Sequence, residues 1–204
     1  MKSTLILLFF AIMPFLAFSQ DIVAYEAIGE LSEDLIAVKK NSSWGFIDSN
    51  NKVIINFKDN IVSENYWMDN EKKYPLFKNG LCIIVEYKDD IPYYGYINKT
   101  GTIVIKPQFL NVSNFNNGYA LATVINKRVK GVNQYLNKEI ISYDFFEAII
   151  DTKGGIVKVL RDIPYLYMRP KDYEKPYSNS RFIGENMLAV QNKASKWEIV
   201  SFNK

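Results

Sequence analysis

The chain of 204 residues contains no histidine and one cysteine, Cys82. Without histidine, Ser-His-Asp and Cys-His catalysis are excluded, and the commonest transition-metal ligand is missing. A single cysteine closes no internal disulfide and supplies no structural zinc site. Gly-x-Ser-x-Gly, Gly-x-Gly-x-x-Gly and Walker-type phosphate loops are absent as well. Excess charge of one sign is lacking: 25 basic residues stand against 22 acidic ones, a net +3, with the signs interspersed. There is no basic arm or stripe, so the electrostatic footprint of a nucleic-acid binder is missing. Asp89-Asp90 lacks calcium-loop spacing and reads as a solvated turn.

These absences leave little chemistry. Paired carboxylates can hydrolyse glycosides without histidine when they stand about 5–9.5 Å apart. The sequence places no two carboxylates across a cleft. The expectation is therefore a chain that is not an enzyme, with no cofactor and no metal. In the apolar run Leu81-Cys82-Ile83-Ile84-Val85, Cys82 reads as a small buried hydrophobe rather than a reactive thiol.

A long apolar run does occur at the N terminus. Met1-Lys2 is a short basic start, Leu5 to Phe18 is an apolar stretch of 14 residues broken only by Pro14, and Ala17-Phe18-Ser19 is a small-x-small cleavage pattern. The run is too short to span a bilayer comfortably and fits a secretory signal over residues 1–19. No cysteine follows it to carry a lipid. The expected location is secreted, periplasmic or cell-surface, with no stable membrane anchor after cleavage.

What the chain has in quantity is aromatic and β-branched residues, including 14 Tyr and 13 Phe, arranged in a repeat. One copy is Trp44-Gly45-Phe46-Ile47-Asp48-Ser49-Asn50-Asn51-Lys52-Val53-Ile54-Ile55. A second, fifty residues on, is Tyr94-Gly95-Tyr96-Ile97-Asn98-Lys99-Thr100-Gly101-Thr102-Ile103-Val104-Ile105. A third, altered at its start, is Ala148-Ile149-Ile150-Asp151-Thr152-Lys153-Gly154-Gly155-Ile156-Val157. Each is two strands around an Asp/Asn-x-x-Gly turn. Asp48, Asn98 and Asp151 are expected to accept backbone hydrogen bonds as Asx-turn residues. Asn51, Gly101 and Gly154 are expected at positive φ, closing a type I turn with a G1 bulge. A second block precedes each hairpin, as in Phe77-Lys78-Asn79-Gly80-Leu81 and Phe115-Asn116-Asn117-Gly118-Tyr119, with weaker versions at Leu31-Ser32-Glu33-Asp34-Leu35 and Ile183-Gly184-Glu185-Asn186-Met187.

With both blocks, the chain resembles the WG-repeat proteins, whose units read approximately Phe-x-x-Gly-Leu-Ala-x-Val, Trp-Gly-Tyr-Ile-Asp-x-x-Gly and Val-Ile-x-Pro-x-Phe/Tyr. The second unit matches from Phe77 to Ile105-Lys106-Pro107-Gln108-Phe109. The third departs, with Glu147-Ala148 at the Trp-Gly place. The fourth has Trp197 followed by Glu198. The resemblance implies an all-β chain of tandem antiparallel units of about three strands. They would form a curved solenoid-like array or, alternatively, a small propeller-like closed one. After the signal, residues 20–204 read as one repeat domain, with units near 30–76, 77–114, 115–181 and a partial 182–204. A repeat architecture implies little about activity.

Residues where the units stop resembling each other are candidates for function. The long returns carry Trp67, then Tyr165, Tyr167 and Arg169, and an insertion near residues 127–146 is expected to map to a loop on one face. Tyr, Trp and Arg dominate interface hot spots. The leading expectation is a non-catalytic exported binding protein with an unknown protein partner. The alternative is a carbohydrate-binding module using the loop aromatics, and the third is a histidine-free glycosidase.

Overall fold

The computed structural model describes residues 23–62 and 74–202. The proposed signal segment and Trp67 lie outside these. Among the described residues, fourteen strands form four antiparallel meanders in which sequence neighbours pair. The first sheet holds β1 (Ala27–Ser32), β2 (Leu35–Lys40), β3 (Ser43–Ile47) and β4 (Val53–Lys58). The second holds β5 (Leu81–Lys88), β6 (Ile91–Asn98) and β7 (Ile103–Phe109). The third holds β8 (Asn111–Val112), β9 (Tyr119–Asn133), β10 (Lys138–Asp151) and β11 (Ile156–Ile163), and the last holds β12 (Ser180–Gly184), β13 (Met187–Gln191) and β14 (Trp197–Ser201). Among the described residues the only helical turn is the 3₁₀ turn Pro170–Asp172.

The turns form as their residues dictate. The Oδ1 atoms of Asp48, Asn98 and Asp151 each accept from the backbone N–H two and four residues on, at 2.8–3.0 Å. Asn51, Gly101 and Gly154 close them at φ 63°, 79° and 81°. A fourth turn of this kind spans residues 192–196, with Asn192 as acceptor and Ser195 at φ 59°. The Gly/Asn pattern does not find it, because serine stands in the left-handed position. The other block turns through adjacent left-handed residues, Asn79-Gly80 and Asn117-Gly118, as a type I′ turn requires.

The sheets stack face to face. Side chains alternate across each strand, so β5 sends Cys82 and Ile84 back to a core shared with Leu35, Ala37, Trp44 and Phe46 of the first sheet. It sends Leu81 and Ile83 forward to a second core shared with Phe115, Ala120 and Ala122. A third core joins Leu121 and Ile149 to Leu188, Val190 and Phe202 of the last sheet. Strands covered on both faces are apolar at successive positions, as sheets buried on both sides demand. Among the described residues the three inter-sheet cores each join sequence neighbours, so the all-β array is held by nearest-neighbour interfaces.

One expectation is corrected. The insertion near residues 127–146 is not a loop. It lengthens β9 and β10, which pair without interruption by a loop from Asp151↔Tyr119 out to Lys138↔Asn133, with one bulge. The corresponding hairpin of the second unit turns at Asp89-Asp90, directly after Lys88. The third hairpin therefore overhangs its neighbour, and its β-branched content (Val129, Val132, Ile140, Ile141) explains why it extends as strand.

A candidate binding surface

The recurring Trp-Gly place has two jobs. The strand register puts Trp44 opposite Lys39, Tyr94 opposite Val85, Glu147 opposite Thr123 and Trp197 opposite Gln191. Trp44, Tyr94 and Glu147 point toward the following unit, and Trp197 takes the same parity on the last sheet. Trp44 is 9% exposed within the first core, and Tyr94 packs on the second core with Lys175 Nζ 4.3 Å from its ring centroid. The glycine that follows makes room for the bulged neighbouring strand. A Cβ on Gly95 would lie 2.3 Å from the Ile105 carbonyl oxygen, and one on Gly45 would lie 2.9 Å from that of Ile55. In the third unit Ala148 is tolerated, where the bulge in β11 falls at residue 160.

Glu147 gives the third unit's departure a physical content. Its side chain is 1% exposed and accepts from Arg161 Nε at 2.9 Å, from Ser180 Oγ at 3.0 Å and from Ser178 Oγ. With the Asn179 amide oriented to satisfy its neighbours, its oxygen accepts from both terminal nitrogens of Arg161. The carboxylate thus fastens the end of the long third return and the start of β12. By repeat pattern alone, Glu147 marks only the loss of the Trp. The available signal was a single acid inside the otherwise apolar stretch Phe145-Phe146-Glu147-Ala148-Ile149-Ile150.

That return, residues 164–179, is anchored at several points. Asn111 Nδ2 donates to the Pro176 carbonyl at 2.8 Å, and the Tyr173 hydroxyl donates to the Leu110 carbonyl at 3.4 Å. Burial raises the Tyr173 phenol above its ordinary range. Between these anchors exposure alternates. Leu166 and Met168 turn inward onto the cluster of Ile91, Leu110 and Phe145. Tyr165 (65% exposed), Tyr167 (59%) and Arg169 turn outward. The period of two is that of extended backbone, and Arg169 has φ −105° and ψ 133°. The Tyr165 and Tyr167 rings meet edge to face, 4.8 Å apart at 88°. With Leu166, Lys171, Asp172 and Glu174 they line an open groove of about 690 Å³. Three of the four sequence candidates thus share one outward face, and Trp67 lies outside the described residues.

Cys82 is fully buried, and desolvation raises its thiol well above the ordinary range. The overhanging hairpin adds exposed Val129, Val132, Tyr135 and Leu136, which sequence analysis did not single out.

Stacked antiparallel meanders, each presenting an aromatic or polar residue forward to the next, define a β-repeat array. Residues 44–58 and 94–127 match the family model described as the WG containing repeat. No curated protein and no solved structure matches the chain.

Proposed function

We propose that the chain is a non-catalytic, exported binding protein that engages a protein partner through the outer face of residues 165–169. The observation that carries this reading is the alternation of that segment. Leu166 and Met168 are seated in the fold, while Tyr165, Tyr167 and Arg169 are held outward, the two rings against each other. Tyrosine and arginine supply large contact areas and directional donors, and their backbone is already ordered, which lowers the cost of association. The perpendicular rings of Tyr165 and Tyr167 do not make one flat platform for a sugar chain, which favours protein over glycan. Export rests on the N-terminal run of residues 5–18 and the Ala17-Phe18-Ser19 pattern.

The test runs affinity capture from the exported fraction and a glycan array in parallel, with wild type and the Tyr165→Ala/Tyr167→Ala double variant. The expected result is a protein held by wild type and released at least tenfold more readily by the variant, at an unchanged melting temperature. Glycan retention without protein capture would establish the carbohydrate reading instead. Capture indifferent to both substitutions would remove this surface from consideration.

A further inference from the structure

The forward face of each of the first three sheets is covered by the next unit, and among the described residues no sheet packs on that face of the last one. Register identifies its positions one by one. Leu35 and Ala37 in β2, and Leu81 and Ile83 in β5, are buried in the first and second cores. Their equivalents in β13 are Met187 and Ala189. Phe46 and Tyr96, the residues two beyond the Trp place, are met edge to face by Phe77 and Phe115 of the following units, at 4.7 and 4.8 Å. Their equivalent in β14 is Ile199, paired with Ala189 just as Phe46 pairs with Ala37 and Tyr96 with Ile83.

On the last sheet Ala189, between Arg181 and Ile199, is 6% exposed, while the larger side chains of this face are open. Ile199 is 68% exposed, Trp197 49%, Ile183 45% and Met187 39%. The opposite parity, Leu188, Val190 and Val200, is already committed to the third core. On this face the last sheet keeps apolar residues at the places the internal interfaces use.

We infer that this exposed face of the last sheet is a homodimer interface, on which a second copy of the chain packs the same face about a two-fold axis. Continuity with the internal interfaces carries the inference: three times in this chain a sheet of this pattern is covered by another of its kind. A second copy offers the same pattern. A two-fold contact is self-complementary, with one patch serving both sides. Sheets stacked this way interdigitate their inner side chains. Exposed charges of both signs, Arg181, Glu185 and Lys196, lie on this last unit. A mixed rim can oppose its own copy without net repulsion. The guanidinium of Arg181 already lies over the Trp197 ring, 5.3 Å from its centroid, which orders the indole for contact.

Sedimentation velocity of the purified chain over a concentration series tests the proposal, with Ile199→Asp, Trp197→Ser and a control, Leu136→Asp, on the distant hairpin tip. All three positions are exposed, so the folds should melt alike. The expected result is a wild-type dimer whose midpoint moves at least tenfold higher in concentration for Ile199→Asp and Trp197→Ser and stays put for Leu136→Asp. The proposal is overturned if wild type remains monomeric at about 100 μM. It is equally overturned by a dimer that responds to Leu136→Asp but not to Ile199→Asp. A monomer that captures a different β-repeat protein through Ile199 overturns the second copy as occupant.

Discussion

Glu33 Oε2 accepts a hydrogen bond from the backbone N–H of Gly80 at 2.8 Å, across 47 residues of sequence. The same contact recurs one unit later, where Asn79 Oδ1 accepts from Gly118 N at 3.0 Å. The turn of each unit therefore satisfies an N–H in the turn of the next. Lys99 Nζ lies 3.9 Å from the Glu33 carboxylate and 3.6 Å from that of Asp34, adding charge to the first of these contacts. Substituting either acceptor leaves one turn N–H to solvent. Glu33→Ala and Asn79→Ala should each lower unfolding free energy by about 1 kcal/mol. Urea titration of the singles and the double checks this, and strongly non-additive values would show that the turns are not independent contacts.

Trp44 fills the first interface from the forward side of β3. Trp44→Ala should cost about 3–5 kcal/mol, the range for truncating a large buried aromatic. The exposed Trp197, at the same register position of the last unit, should lose far less on the same substitution. Paired denaturation curves distinguish a slot that matters because it is covered from one that matters wherever it occurs.

Gly95 and Gly45 answer to the close approach of a bulged strand rather than to positive φ. Gly95→Ala should destabilise by about 1–3 kcal/mol and more than Gly45→Ala, since backbone atoms meet its Cβ at shorter distances. Thermal melts of the two variants rank them directly. A reversed order would place the crowding elsewhere.

The buried Glu147 carboxylate holds Arg161, Ser178 and Ser180, so Glu147→Ala removes the acceptor of Arg161 Nε and the carboxylate bonds of both hydroxyls, while Asn179 still accepts from the terminal guanidinium nitrogens. The expected loss is about 3–5 kcal/mol. Limited proteolysis should then cut within residues 164–180 before the sheets open. Cleavage that begins in the β9–β10 hairpin instead would show that this network does not fasten the return.

Cys82 should resist alkylation by a maleimide until the chain unfolds, because its side chain is buried and its thiol is held neutral. The native state keeps a proton that the unfolded thiol releases above its ordinary pKa of 9.0. Stability is thus intact below that value and falls as pH rises through it. Between about pH 8 and about pH 10 the wild type should lose more stability than Cys82→Ala. Parallel melts across that range read the difference.

The turns show what the chain determines locally. The Asx bonds of Asp48, Asn98 and Asp151 reach no further than four residues, so residue type and spacing suffice to place them, together with the left-handed Asn51, Gly101 and Gly154. The strands and the all-β repeat follow from the same short-range pattern of β-branched and aromatic residues. Where serine replaces glycine, at Ser195, the pattern is disguised although the turn is unchanged.

Tertiary structure alone decided which way each strand's two faces look, because alternation gives parity and not direction. It turned Glu147 from a missing tryptophan into an acceptor for groups 14 to 33 residues away. It drew the insertion after Asn126 into strands by pairing it with residues that follow a turn. It sorted the third return, seating Leu166 and Met168 on Ile91, Leu110 and Phe145 and leaving Tyr165, Tyr167 and Arg169 outside. It also left Trp197 and Ile199 open, since burial depends on the neighbour that stacks above a residue and not on the residue itself.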